Sequence, residues 1–322
     1  ADTSRADLSY PDGGLGALRD QCLHRRMRLS LGWVEGERLV CPYHGWSFAA
    51  SGEGESASTP KMHACARRYD VVETFGVLWV RSAGSQMPFP DLGVAGYIPA
   101  GIVHRSVRVP IELLLDNHVE LEHSTTTHQI LGFDLKGIVE AEAEFEILDD
   151  RIHIVCRGPQ RKIPGPLGRL MGLSRQETFV NDSVLRFSPP HLASVSKWFD
   201  RKTGVPTRGI DARIFVFFNP TSRTETDLLT ILFVAEKHSW FTRTFVRTIG
   251  RRMAEFETMQ DVRMLEGIAD QRVDVDGMKL SRFDRALVAV RERLDRHYWG
   301  PEGLAGDAAP ATCSPGVETG ES

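Results

Sequence analysis

Residues 41–46 read Cys-Pro-Tyr-His-Gly-Trp, and this stretch decides how the first part of the chain folds. Its Cys41 and His44 have counterparts upstream in Cys22 and His24, so four metal-binding side chains come in two short pairs. Two cysteines and two histidines suit a tetrahedral zinc ion. They also suit a two-iron, two-sulfide cluster in which the cysteines hold one iron and the histidines hold the other. The spacing alone favours the cluster without excluding zinc.

The residues around the two pairs narrow the choice. Gly45-Trp46 follows the second pair directly, and a run of β-forming residues, Tyr69–Val80, lies further on. This pattern resembles the Rieske domain of the Rieske non-haem iron oxygenases, which are the α-subunits of ring-hydroxylating dioxygenases and of related monooxygenases and demethylases. The resemblance implies a Rieske [2Fe–2S] cluster held by the four side chains and leaves zinc as the weaker alternative. Leu23 stands where the family usually has proline, a difference that affects loop stiffness and not ligation.

A second group of metal-binding side chains lies in residues 113–128, which read LLLDNHVELEHSTTTH. Two histidines and one carboxylate form the facial triad of non-haem Fe(II) oxygenases, and this triad leaves coordination positions open for oxygen. His123 and His128 are five residues apart, so a helix must end or distort between them. The intervening Ser124–Thr127 consists of poor helix formers. Spacing alone does not choose between His118 and His123 as the first histidine.

The same segment resembles the family motif D/E-N-x-x-D-x-x-H-x-x-x-x-H. The resemblance implies that His123 and His128 are iron ligands and that Asn117, together with the preceding Asp116, forms the leading pair of the motif. Glu120 falls where most members have aspartate. In the family, this carboxylate links a cluster histidine to an iron histidine across a subunit interface, so Glu120 is implied to orient His123 by hydrogen bonding. Glu120 and Asn117 are therefore the catalytic candidates, and a plain helix-start role is the alternative for Asn117.

The third iron ligand is implied to be a carboxylate far downstream. In the family it is an aspartate on a C-terminal helix, in a context like Q-D-x-x-x-x-E. Residues 260–266, which read QDVRMLE, match that context. The resemblance therefore points to Asp261, with Glu266 and Asp270 as alternatives.

Composition sets the broad class of the protein. The 322 residues have an apolar content of 41% and a formal net charge of −4, which are ordinary values for a folded globular chain. No basic stripe indicates nucleic-acid binding, and no apolar run is long enough to span a membrane. The first residues lack a secretory signal pattern. We therefore predict a cytoplasmic protein without a nucleic-acid or membrane partner.

The distribution of strand and helix patterns predicts an α+β chain. We expect an all-β Rieske domain over residues 1–85, with a strand over 71–80, then an α+β catalytic domain over 86–300, and a disordered tail over 301–322. The resemblance implies that the catalytic domain holds a large antiparallel sheet wrapped by helices, with the iron between them. Only 21 residues precede Cys22, so we expect either that the chain is truncated at its N-terminus or that its Rieske domain is shortened.

Finer patterns place the elements of the catalytic domain. Helical periodicity covers residues 239–270, and a last helix is predicted over 281–297. Strand-like runs are predicted at residues 102–109, 138–148, 151–156, 177–187, 211–218 and 226–235.

The resemblance implies an O2-dependent oxidoreductase with two metal centres. An NAD(P)H-dependent reductase, alone or through a ferredoxin, would supply electrons to the cluster. Mononuclear Fe(II) would then use them with O2 on a small, largely apolar organic substrate. The family implies a homotrimer, and the short chain favours the monooxygenase and demethylase branch over cis-dihydroxylating dioxygenases. A Rieske electron-transfer protein fused to a ligand-binding module, and a zinc-stabilised binding protein, are the alternatives from other classes.

Overall fold

The computed structural model describes residues 5–9, 14–60, 62–162, 177–207 and 210–300. The chain divides into two compact units, one within residues 1–91 and the other within residues 92–303. The tail predicted to be disordered, residues 301–322, lies outside the described residues. Among the described helices, none combines the length and the apolar character that crossing a membrane requires.

The first unit is built from two antiparallel sheets. Its strands are β1 (Arg5–Ser9), β2 (Leu15–Arg19), β3 (Trp33–Glu35), β4 (Arg38–Val40), β5 (Ser47–Ala49), β6 (Glu53–Glu55), β7 (Ala64–Cys65), β8 (Arg68–Thr74) and β9 (Val77–Ser82). One sheet has the strand order β1-β2-β8-β9 and the other the order β3-β4-β5-β6-β7. The expected all-β architecture of this region is confirmed. Cys22 and Cys41 belong to the apolar cluster of this unit, so two of the predicted ligands are also core residues.

A tight turn divides the single strand predicted over residues 71–80. Phe75 and Gly76 have φ angles of 61° and 75°, and the flanking Thr74 and Val77 pair with each other across the antiparallel strands. Two consecutive residues with positive φ form the hairpin turn that matches the twist of the flanking strands. The run of β-forming residues is therefore a hairpin, because backbone conformation at two positions outweighs the uniform side-chain pattern.

The second unit is organised around one seven-stranded antiparallel sheet. Its strands are β10 (Tyr97–Val107), β11 (Glu142–Ile147), β12 (Arg151–Pro159), β13 (Thr178–Phe187), β14 (Pro190–Phe199), β15 (Ala212–Pro220) and β16 (Thr226–Ala235). The sheet order is β10-β16-β15-β14-β13-β12-β11. The predicted large antiparallel sheet is confirmed, although the sequence patterns did not indicate β14. In that strand Ser194, Ser196 and Lys197 interrupt the apolar pattern, so neither face of the strand is continuously apolar.

Helices accompany the sheet in the second unit. They are α1 (Ile111–Val119), α2 (Trp240–Phe245), α3 (Arg251–Glu266) and α4 (Leu287–Leu294). A π-helical turn, Val246–Gly250, joins α2 to α3 and another, Asp295–Trp299, extends α4. The periodicity predicted over 239–270 thus forms one interrupted helix.

Helix α1 ends before it reaches His123, the first histidine that the resemblance implied as an iron ligand. Its last residue is Val119, and Glu120 has extended backbone angles, φ −113° and ψ 159°. His123 instead lies in a 3₁₀ turn, Glu122–Thr125. The Glu120 carboxylate accepts the backbone N–H groups of Glu122 and His123. It acts as a cap for the new turn, because the first amides of any helical turn need an acceptor.

Helix α1 is tied to α4 by a buried ion pair. Arg291 donates to both carboxylate oxygens of Asp116 at 2.6 Å, and the two side chains are 14% and 13% exposed. Two parallel bonds of this kind are the strongest geometry that a guanidinium offers. Trp299 adds a hydrogen bond to Glu112 of α1 at 3.0 Å. Asp116 therefore has a structural partner and does not point to a metal.

Loss of this ion pair should destabilise the second unit. In Arg291→Met, Asp116 stays buried without a counter-charge, and removing one partner of a buried pair costs about 3–5 kcal/mol. We expect denaturant unfolding to show a free energy of unfolding lower by about 3 kcal/mol. Arg272→Met, which breaks the exposed pair with Asp270, is the matched control and should leave stability unchanged. Equal effects of the two substitutions would contradict the role given to Asp116.

Candidate metal centres

Two loops of the first unit carry the four Cys and His side chains, and the same backbone bonds close both loops. The N–H of Cys22 donates to the carbonyl of Met27 at 2.7 Å, and the N–H of Arg26 donates back to the carbonyl of Cys22 at 2.9 Å. The loop at Cys41 repeats both bonds, to the residues five and four positions on, at 2.7 and 3.1 Å. The two loops therefore have the same pattern of backbone hydrogen bonds, although the spacing between cysteine and histidine differs.

A residue with positive φ closes each of the two loops. Arg26 has φ 59° and Gly45 has φ 71°, each four positions after the cysteine. Glycine takes this conformation without steric cost, whereas a residue with a side chain is strained there by roughly 1–2 kcal/mol. Gly45 of the HGW sequence thus has a backbone reason for its identity.

Within these loops the cysteines lie inside and the histidines outside. Cys22 and Cys41 are both 1% exposed, and burial together with the neighbouring Cys41 thiol raises the pKa of Cys22. The rings of His24 and His44 are exposed, with their centroids 4.6 Å apart. His24 also stacks on Trp46 at 5.2 Å. The donors are therefore sorted by type, two sulfurs in the core and two imidazoles at the surface.

This sorting favours a two-iron cluster over a single zinc ion. Zinc needs all its donors about 2.0–2.3 Å from one point, so the donor atoms must lie within roughly 4 Å of one another. Among the described residues, three donor atoms come within 4.8 Å of one another in one group, and none of the four loop side chains belongs to it. Sulfurs at one end and nitrogens at the other match a cluster with one iron for each donor type.

That one group is the second centre, and it consists of His123, His128 and Asp261. The two histidine Nε2 atoms lie 3.1 Å apart. The Asp261 Oδ1 atom lies 3.8 Å from Nε2 of His123 and 3.4 Å from Nε2 of His128. The structure thus brings together three side chains that the resemblance implied as iron ligands, from the loop after α1 and from α3.

The donor set fits a divalent ion. Donors about 2.1 Å from one ion and at right angles to each other lie roughly 3 Å apart, as in a facial triad. Asp261 is 7% exposed, and its Oδ1 atom has no hydrogen-bond partner among the described residues. A buried carboxylate oxygen without a partner is costly, so a cation on this oxygen accounts for the arrangement.

Glu120 orients the first histidine. Its Oε1 atom lies 2.5 Å from Nδ1 of His123, which leaves Nε2 for the metal. Burial acts to lower the pKa of His123, but the carboxylates of Glu120, Asp261 and Glu257 together outweigh burial, so the pKa is raised. Burial and the nearby Glu120 charge also raise the pKa of Cys156 on β12 to about 12, so that this cysteine stays a neutral thiol.

Glu257 is a buried carboxylate that the sequence patterns did not single out. It lies one helical turn before Asp261 on α3 and is 8% exposed. Its Oε2 atom contacts Nδ1 of His128, and its Oε1 atom accepts the N–H of Ile130 at 3.1 Å. The spacing of four residues from Asp261 was the available signal, because such residues share a helix face.

The remaining candidates lie outside the group of three donors. His118 turns its Nδ1 to the Leu114 carbonyl at 2.8 Å, and burial lowers its pKa. Glu266 accepts the N–H of Arg108, and Asp270 binds Arg272 on the surface. Neither therefore serves in place of Asp261.

Asn117 borders the centre. Its buried Nδ2 atom has no hydrogen-bond partner among the described residues. The side chain lines a cavity of about 340 Å³ together with Glu120 and His123. An unpaired amide donor is therefore available beside the first histidine.

Comparison with known proteins agrees with this geometry. Residues 4–76 match the family model of the Rieske [2Fe-2S] domain. The chain is 34% identical over 122 residues to chlorophyllide a oxygenase of Arabidopsis thaliana, across 36% of this chain and 23% of that protein. It is 27% identical over 196 residues to a vanillate O-demethylase oxygenase subunit of Pseudomonas sp. (strain HR199 / DSM 7063), across 56% and 54%. The chain thus spans about half or less of the length of these relatives.

The fold has a counterpart among solved structures. Dicamba monooxygenase bound to 3,6-dichlorosalicylic acid superposes with a TM-score of 0.70 at 20% identity, over 91% of this chain and 89% of that one. This likeness covers both units and shows the fold. Residues 4–76 therefore form a Rieske [2Fe–2S] domain, and the chain as a whole has the fold of a Rieske non-haem iron oxygenase.

Proposed function

We propose that the chain is the oxygenase component of a Rieske system that hydroxylates or oxidatively demethylates a small, largely apolar organic molecule with O2. One observation carries the proposal: His123, His128 and Asp261 converge in a chain that also carries a Rieske domain. A Rieske cluster supplies single electrons and a facial ferrous ion supplies oxygen activation when they are bound.

The residues of this chain divide the work between the two centres. Cys22 and Cys41 would hold the cluster from the core, and His24 and His44 would hold it at the surface, where an electron donor can approach. In the second centre Glu120 keeps a proton on Nδ1 of His123, so that Nε2 stays a lone-pair donor.

Asn117 takes a different part in the same centre. Its free amide group beside His123 offers a hydrogen-bond donor to a bound ligand. The residue therefore acts in binding and orientation, and we assign it no redox role.

The surroundings of the second centre support an apolar substrate. The cavity of about 340 Å³ beside His123 has five apolar lining residues, Leu113, Leu265, Ile268, Met278 and Leu287, and its other lining residues are Asn117, His123 and four acidic side chains. Ligand sites are typically lined by apolar side chains with few polar groups. The relatives of the chain include a vanillate O-demethylase oxygenase subunit and a methylxanthine N1-demethylase, and these favour demethylation or monooxygenation over cis-dihydroxylation.

The proposed partners follow from the same assignment of the two metal centres. An NAD(P)H-dependent reductase, directly or through a ferredoxin, would reduce the exposed side of the cluster. A homotrimer would place the cluster of one subunit beside Glu120 of the next. We also propose a cytoplasmic location, which the bacterial origin of the vanillate O-demethylase relative supports.

A single-turnover experiment tests the proposed reaction. Chemically reduced protein is mixed with O2 and a panel of methoxylated aromatic acids and N-methylated heterocycles. We expect at least one compound to yield formaldehyde and a demethylated product, or a product heavier by one oxygen. Asp261→Asn is the comparison, because it should keep the cluster spectrum and yield no product. Equal product from both proteins, or none from either, would contradict the proposal.

Glu120→Gln tests the carboxylate beside the first histidine. Oε1 of Glu120 faces both Nδ1 and the backbone N–H of His123, so a glutamine that keeps its carbonyl oxygen there retains those bonds without the charge and gives up the cap on the N–H of Glu122. We expect both metals to stay bound while turnover falls about tenfold or more. Glu142→Gln is the matched control, because its exposed side chain lies on β11 and is not among the residues that line the cavity beside His123. Turnover and metal content are measured on the same preparations. Full activity in Glu120→Gln would contradict the proposal that the Glu120 charge is needed for turnover.

A further inference from the structure

Glu257 has contacts that a surface helix position would not need. It is 8% exposed on α3, and its two carboxylate oxygens have separate tasks. Oε1 accepts the backbone N–H groups of Ile130 and Leu131 at 3.1 and 3.5 Å. Oε2 contacts the Nδ1 atom of His128, and neither atom has a hydrogen bond to any other group among the described residues. One side chain thus anchors the loop that follows the second histidine and also contacts the ring of that histidine.

We infer that Glu257 is a positioning residue of the mononuclear centre, which holds the proton of His128 on Nδ1 and thereby keeps Nε2 as a metal donor. A neutral imidazole carries one proton, and the partner of one nitrogen decides which nitrogen keeps it. A carboxylate at Nδ1 can only accept, so it fixes the proton there and raises the donor strength of Nε2.

The inference gives each ligand histidine its own carboxylate. Glu120 serves His123 from the end of α1 and lines the cavity of about 340 Å³. Glu257 serves His128 from α3 and does not border that cavity. Because Asp261 lies one turn further along α3, a single helix delivers both a ligand and the residue that orients another ligand.

Arg161 completes the arrangement from the other side of the loop. Its guanidinium donates to the carbonyls of Ser124, at 3.0 Å, and of Thr125 and His128. Burial lowers the pKa of Arg161, and the charge of Glu257 opposes that effect. A ferrous ion together with Arg161 would balance the charges of the three carboxylates in the centre. The charges of the site that contains Glu257 are therefore balanced only when the ion is bound.

Glutamine at this position separates the orienting role from a structural one. Two backbone N–H groups face Oε1 and require an oxygen there, so in Glu257→Gln the new amide NH2 must take the place of Oε2 beside His128. The loop anchor is then retained. The NH2 group would donate to Nδ1 and force the ring proton onto Nε2, where it blocks the metal. A purely structural role predicts no loss of metal affinity in this variant.

The experiment is an anaerobic calorimetric titration with Fe²⁺. The full-length chain carries its Rieske cluster and has been stripped of mononuclear iron by a chelator. We expect Glu257→Gln to bind Fe²⁺ about 10- to 100-fold more weakly than the unchanged protein. The EPR signal of the reduced cluster and the melting temperature of the stripped protein should not change. Glu255→Gln is the matched control, since Glu255 lies on the same helix and pairs with Arg105, and it should bind iron normally.

Two results would overturn the inference, and only one of them would also overturn the proposed oxygenase function. Equal Fe²⁺ affinity in Glu257→Gln and the unchanged protein would show that Glu257 only anchors the loop, and the proposed oxygenase function would stand. The inference rests on that function for the identity of the ion. A lack of Fe²⁺ binding by the unchanged protein would therefore remove the inference and the proposed function together.

Discussion

Buried negative charge in need of a cation is the constraint on which the second unit depends. Asp261 and Glu257 are 7% and 8% exposed, and the Oδ1 atom of Asp261 has no hydrogen-bond partner among the described residues. Glu120 adds a third carboxylate, while Arg161 brings one positive charge to the same loop. Buried charges that lack partners cost several kcal/mol. The two histidine nitrogens beside Asp261 show where a divalent ion would remove that cost.

The fold assembles this centre from segments far apart in the chain. Helix α1 ends at Val119, and the Glu120 side chain begins the turn that carries His123. Gln260, next to Asp261, accepts the N–H of Gln129 at 3.2 Å and so joins the histidine loop to α3. The Rieske domain follows another plan, in which each cysteine and its histidine lie within one short loop closed by its own backbone bonds. Because each pair lies within one short loop, the two Cys–His pairs can be recognised from the sequence.

Long-range contacts mark the limit of what the sequence predicts. The two Cys–His pairs of the first unit and the large sheet could be anticipated, because motif spacing and strand patterns are local. The spacing of Glu257 from Asp261 indicated a shared helix face, but its contacts could not be anticipated, since they join it to a loop more than a hundred residues away along the chain. Asp116 resembled a motif residue, yet its partner Arg291 is 175 positions distant. The hairpin at Phe75 was hidden because its turn residue is a large aromatic side chain with positive φ.

Metal and sulfide analysis of anaerobically purified protein, read with its EPR spectrum after reduction, tests the central claim most directly. The claim is that one chain holds a Rieske cluster and a separate mononuclear iron. It predicts about three irons and two sulfides per chain, with the EPR signal of a Rieske cluster. Zinc without iron or sulfide would contradict both centres. One iron without sulfide would contradict the cluster and leave the mononuclear centre alone.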